Sequence, residues 1–183
     1  MEFKKLDKKT EDGKFYYDIQ TEIVQEALNS QGHCLDELVR LMRKRCDLAS
    51  VIYFCGTRLD SDFCFGSSDL AFAISALPQD ARKAAKPGYH PKSTEVYIIF
   101  QGSLIIELLD QGTIREEALN QYGVLLIAPG QCHRVRIEPK REAASFIVKT
   151  NPHHEPEVVR CESCTYYVDV EICPLRRSWA QDK

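Results

Sequence analysis

The chain has 183 residues, 28% of them charged, and a formal net charge of −3. That length suits one well-buried core, and the near balance of charge leaves no electrostatic footprint for a nucleic-acid partner. The amino terminus, Met1-Glu-Phe-Lys-Lys-Leu-Asp-Lys-Lys, lacks an apolar core of signal-peptide length and no later run reaches membrane-spanning length, so a cytoplasmic location without membrane association is expected.

Residues 1–49 read as a helical extension. Ile19, Ile23, Val24, Ala27 and Leu28 recur at helical spacing, and Ser30-Gln-Gly32 ends the run. Leu35, Leu38, Val39, Met42 and Cys46 repeat the spacing and predict a second amphipathic helix. Such helices would pad a face of the following domain or make a dimer contact. The basic run Arg40, Arg43, Lys44 and Arg45 reads as a solvated helix face.

From about residue 50 to 150 the pattern changes to that of strands. Residues 50–55 and 69–75 read as strands, and 80–85 as a polar connector. From Glu95 to Gln101 the chain is rich in β-branched and aromatic residues. Side chains two apart share a face, which groups Glu95, Tyr97 and Ile99 against Val96, Ile98 and Phe100. A carboxylate on so apolar a strand is costly unless it is paired or bound to a metal. Gly102 is expected to make a tight turn before the strand 103–109, and Asp110-Gln-Gly112 to close a hairpin with the strand that begins at Thr113. Pro129-Gly130 makes a turn presenting His133 at the start of a further strand. There His133, Val135 and Ile137 share one face, and Arg134 and Arg136, on the other, should lie in water. His133 then points inward. Residues 144–149 look like the closing strand.

His90, on the loop entering the strand of Glu95, completes a set of two imidazoles and one carboxylate. Three such ligands with open positions suit a divalent metal, whether Fe, Mn, Ni, Zn or Cu. Tyr97, on the face of Glu95, is the candidate catalytic side chain, placed to orient a substrate or donate a proton, or else to pack the core. The stretches Gly88-Tyr-His90-Pro-Lys-Ser-Thr-Glu95-Val-Tyr-Ile-Ile-Phe-Gln-Gly102 and Gly123-Val-Leu-Leu-Ile-Ala-Pro129-Gly130-Gln-Cys-His133 resemble, in this order, the two signature motifs of the cupin superfamily. The resemblance covers residues 87–149. It implies a mainly β fold, a double-stranded β-barrel or jelly roll behind the N-terminal helices, and a metal held by His90, Glu95 and His133. The chain departs from the family pattern at Gly88, where a further histidine is common, at Tyr122, where the second motif opens on glycine, and at Ile137, where it ends on asparagine. With three ligands the metal would be held more weakly, be completed by a residue such as Cys132 or Tyr97, or be absent.

The two-histidine, one-carboxylate set resembles that of non-haem iron oxygenases, so the expected protein is a metal-dependent enzyme, a dioxygenase or isomerase acting on a small molecule. The alternatives are a non-catalytic cupin that binds or senses a small ligand, and a metal-free sugar-nucleotide isomerase or epimerase with a histidine as base. Barrels of this family present an open sheet edge, and the apolar face of Val96, Ile98 and Phe100 needs burial, so a homodimer is expected.

Residues 151–183 form a cysteine-containing tail expected to pack on the barrel. Cys161 and Cys164 have the two-residue gap with which two thiolates grip one tetrahedral ion, and the alternating run 165–172 would fold Cys173 back towards them. The tail is similar to a reduced form of the accessory cysteine-bound iron site of some small cupin dioxygenases. A second zinc or iron ion on Cys161, Cys164 and Cys173 would need His153, His154 or an upstream cysteine; otherwise these cysteines pack a strand. In a reducing compartment the eight cysteines of the chain read as thiols or ligands and not as a disulfide framework.

Overall fold

The computed structural model describes residues 16–30, 33–45, 51–53, 70–79, 86–138, 140–150, 158–161, 164 and 172–181. The chain divides into two compact units, Met1–Ile52 and Tyr53–Lys183.

The first unit holds α1 (Tyr16–Leu28) and α2 (Cys34–Lys44), which pack on each other. Ile19, Ile23, Val24 and Ala27 are buried, as are Leu38, Val39, Leu41 and Met42. Leu28 leaves the expected stripe and is 59% exposed. At 3.6 residues per turn it sits on the opposite side of the helix from Ile19. Asp36 and Glu37 in the first turn of α2, with Arg43 and Lys44 in its last, complement the helix dipole. Cys46 lies outside the described residues.

The short strand β1 (Val51–Tyr53) straddles the division of the chain. The second unit continues with β2 (Leu70–Leu77), β3 (Gly88–Tyr89), β4 (Glu95–Asp110), β5 (Thr113–Asn120), β6 (Val124–Ile127), β7 (His133–Arg136), β8 (Ala143–Thr150), β9 (Val159–Arg160) and α3 (Pro174–Gln181). The architecture is mainly β, an antiparallel sheet that curls on itself. Its organising element is β4. The first half of β4 lies between β8 and β6, with Val96 opposite both Val148 and Leu126. Its second half lies between β5 and β7, with Ile106 opposite Glu117 and Val135. One strand thus belongs to both leaves of the curl.

That continuity corrects the expected turn at Gly102. The ladder to β8 shifts by one residue between Ile99 and Gln101, a bulge, and Gly102 takes φ +73 without ending the strand. A Cβ there would run into the carbonyl of Glu142, so only glycine fits the bend. The hairpin at Asp110-Gln-Gly112 forms as expected. Gln111 and Gly112 both have positive φ, and Asp110 pairs with Thr113.

Along the start of β4 burial alternates as anticipated, with Glu95 (3% exposed), Tyr97 and Ile99 inside and Val96, Ile98 and Phe100 half-buried. On the outer face Phe146 stacks between Phe72 and Phe100, with ring centroids 5.4 and 4.5 Å away. The tail adds two elements. Strand β9 pairs with β3 at Gly88 and Tyr89, and Ser178 of α3 donates to Glu107 of β4. The alternating run expected at 165–172 falls outside the described residues except for Ile172, which is exposed.

Candidate metal centre

Both halves of the candidate centre are set by backbone. Gly88 pairs with His133 across β3 and β7, which brings the start of the first motif beside the end of the second. The Pro129-Gly130 turn is tied in by the amide of Gly130, which donates to the carbonyl of His90 at 2.8 Å. Glu95 enters from the first residue of β4, opposite Ile127 and Lys149 on the flanking strands. The structure brings His90, Glu95, His133 and Tyr97 together, and each is less than 10% exposed.

Glu95 Oε2 lies 3.0 Å from His133 Nε2 and 3.6 Å from His90 Nε2. Despite that proximity it is buried without a hydrogen bond among the described residues. His133 Nδ1 is 3.1 Å from the carbonyl of Gln131. With Nδ1–H donating to that oxygen, Nε2 turns either a lone pair or, in the imidazolium, a proton towards the carboxylate. A lone pair would repel the carboxylate, so this junction calls for a cation: a proton on the ring, or a metal ion. A carbonyl-anchored imidazole is also the usual support of a metal-ligating histidine. The donor set therefore fits a divalent ion. As the side chains stand, no group of three or more His, Cys, Asp or Glu among the described residues is spaced to hold one.

Burial works to raise the pKa of Glu95, but the interaction with His133 and the charges of Lys149, His133 and His90 outweigh it and bring the carboxyl down to about 2. Lys149 is the functional candidate that sequence reasoning missed. It is 5% exposed, and its Nζ lies 3.5 Å from Glu95 Oε1. The signal was present in the alternation of β8, where Phe146 and Val148 face out and Ser145, Ile147 and Lys149 face in, an inward charge on an apolar strand. The hydroxyl of Tyr97 approaches the same oxygen at 3.4 Å, and its ring meets His133 edge-on at 6.4 Å between centroids.

Two expectations about neighbouring side chains need correction. Arg134 is not in water but 1% exposed, with Nε 2.9 Å from Glu107 Oε2, and Arg136 Nε binds the other oxygen of Glu107 at 2.8 Å. The outer face of β7 is covered there, and Glu107, opposite Arg134 in the ladder, supplies the compensating charge. Cys132 does not join the imidazoles. It packs on the far side of the strand with Tyr89, Val159, Cys173 and Leu175. Cys161, Cys164 and Cys173 border the same small cavity as Cys132, and none of the four forms a disulfide. His153 and His154 lie outside the described residues.

The antiparallel sheet curls so that the two motifs meet on its inner face. No family model matches the chain, and no curated protein matches it in sequence. Among solved structures, a cupin-like protein from Thermotoga maritima is 16% identical, covers 60% of this chain and 73% of its own, and gives a TM-score of 0.49. The polyketide cyclase RemF from Streptomyces resistomycificus is 18% identical over 62% of this chain and 75% of its own, with a TM-score of 0.45. A cupin-2 domain protein from Shewanella frigidimarina is 20% identical over 45% and 72%, with a TM-score of 0.37. At these identities and scores nothing of those proteins' activities carries over to this chain. Among the described residues no helix is long and apolar enough to cross a membrane.

Proposed function

We propose that the protein is a metal-binding cupin, an oxygenase-like enzyme acting on a small molecule, with His90, Glu95 and His133 holding one divalent ion. The observation that carries this reading is the buried Glu95 Oε2, without a hydrogen bond among the described residues yet faced by two imidazole Nε2 atoms. A bound ion would supply a Lewis-acid centre with open positions for substrate or oxygen. The chain's own contribution is positional. Lys149 and the Tyr97 hydroxyl both engage Glu95 Oε1, which leaves Oε2 for the ion. With Lys149 neutralising Glu95, the charge of the bound ion is left uncompensated and favours an anionic substrate, such as a small carboxylic acid. Tyr97, as an O–H donor at the same site, would orient that substrate or hand it a proton.

A second reading has its own support. Lys149 neutralises Glu95 without any metal, as a ligand-binding or sensing cupin would allow. Thermal melting of metal-loaded and chelator-treated protein against a panel of small carboxylic acids separates the two. A ligand-induced rise in Tm that needs metal supports the enzyme reading, and the same rise after chelation supports the metal-free binder.

The homodimer belongs to this proposal. Val124 and Leu126 of β6 are 59% and 63% exposed, beside Ile98 and Val96 of β4, and β6 pairs only with β4 among the described residues. Tyr122, 81% exposed at φ +69, extends the same apolar edge. A second copy of the chain would cover it. Light scattering at micromolar concentration should give the mass of two chains, and a monomer mass would remove the dimer.

A further inference from the structure

Cys132 directly precedes His133 in the second motif, whereas Cys161, Cys164 and Cys173 belong to the tail. The fold nevertheless brings all four to one cavity. Its room, about 10 Å³, is that of a single water-sized sphere. Three separate backbone features deliver the thiols. Cys132 leads into β7, Cys161 follows β9, which is held on β3, and Cys173 stands just before α3. The amide of Cys164 donates to the carbonyl of Cys161 at 3.2 Å. Four buried or half-buried thiols from three segments around a one-atom space exceed what packing alone requires.

We propose that Cys132, Cys161, Cys164 and Cys173 form a tetrathiolate site for one zinc or iron(II) ion, separate from the His90, Glu95 and His133 centre and independent of it. Binding releases the thiol protons to solvent and leaves four thiolates on the ion. The thiols border the cavity without standing at ligand spacing, so the ion draws them in, as happens where metal binding and folding are coupled. Its role is structural. It fastens β9 and the start of α3 to the residue next to His133, and so holds the backbone that aims that imidazole.

Cobalt(II) tests this in the full-length chain, purified under reducing conditions and stripped of metal. Thiolate ligation gives an intense sulfur-to-cobalt charge-transfer absorption, which imidazole and carboxylate ligands do not. Wild type should show the band and Glu95→Gln should keep it, whereas Cys132→Ser should lose about one quarter of its intensity as one of four thiolates goes. Should Cys132→Ser fail to fold, Cys164→Ser at a half-buried position should give the same loss, and Cys34→Ser in α2 should give none. Cobalt bound without the band would leave the His and Glu centre intact and overturn the thiolate site. An unchanged band in Cys132→Ser would overturn the role of Cys132.

Discussion

Gly88 and Val159 touch backbone to backbone: a Cβ placed on Gly88 would stand 2.9 Å from the carbonyl oxygen of Val159. Strand β9 therefore occupies the space that a side chain at residue 88 would need. This is the position where the cupin motif commonly carries a further histidine, so its loss and the docking of the tail are one structural fact.

Gly88→Ala should lower the free energy of unfolding by about 1–3 kcal/mol, the usual cost of forcing atoms into a packed site. Gly88→His should cost more and should add no metal ligand, because the imidazole cannot enter without expelling β9. Chemical denaturation of both variants checks this. An unchanged midpoint in Gly88→Ala would mean that β9 yields easily.

Glu107 anchors the other face of β7. Its carboxylate binds Arg134 at 2.9 Å and Arg136 at 2.8 Å, and accepts from Ser178 of α3. Glu107→Ala would leave the Arg134 side chain, 0% exposed, without this counter-charge, which should cost about 3–5 kcal/mol. The unfolding midpoint is the readout, and a loss below about 1 kcal/mol would show that the arginine relaxes to solvent.

Glu95 gives the metal-free protein an acid limb. Its pKa in the folded state is depressed from 4.5 to about 2, so its contribution is complete above the unfolded value and is lost as pH falls through the folded one. Between about pH 4.5 and 2 the wild type should lose stability on the order of 3 kcal/mol more than Glu95→Gln, whose side chain does not titrate. Denaturant melts of both proteins at several pH values across this window measure the difference, and parallel curves would contradict it.

The sequence showed much of the site because strands announce their faces. Period-two alternation put Glu95 and Tyr97 inside, and the structure agrees. The same rule placed Arg134 correctly opposite His133, but it assumed that an outward arginine meets water. It could not foresee Glu107, 27 residues away, beneath it. Gly102 was legible as a position of positive φ, yet a bulge within a continuous strand and a turn between two strands demand the same glycine locally. Lys149 was overlooked because a terminal lysine on a strand normally reads as solvated. Cys132 and the tail cysteines are joined only by tertiary pairing through β3 and β9, which no local pattern encodes.

Metal stoichiometry tests the central claim most directly. Wild type and His133→Ala, purified in parallel and loaded with the same divalent ion, are compared by elemental analysis per chain. A metal centre on His90, Glu95 and His133 predicts that the variant binds one equivalent less, with any ion on the cysteines retained in both. Equal metal content in the two proteins would contradict it.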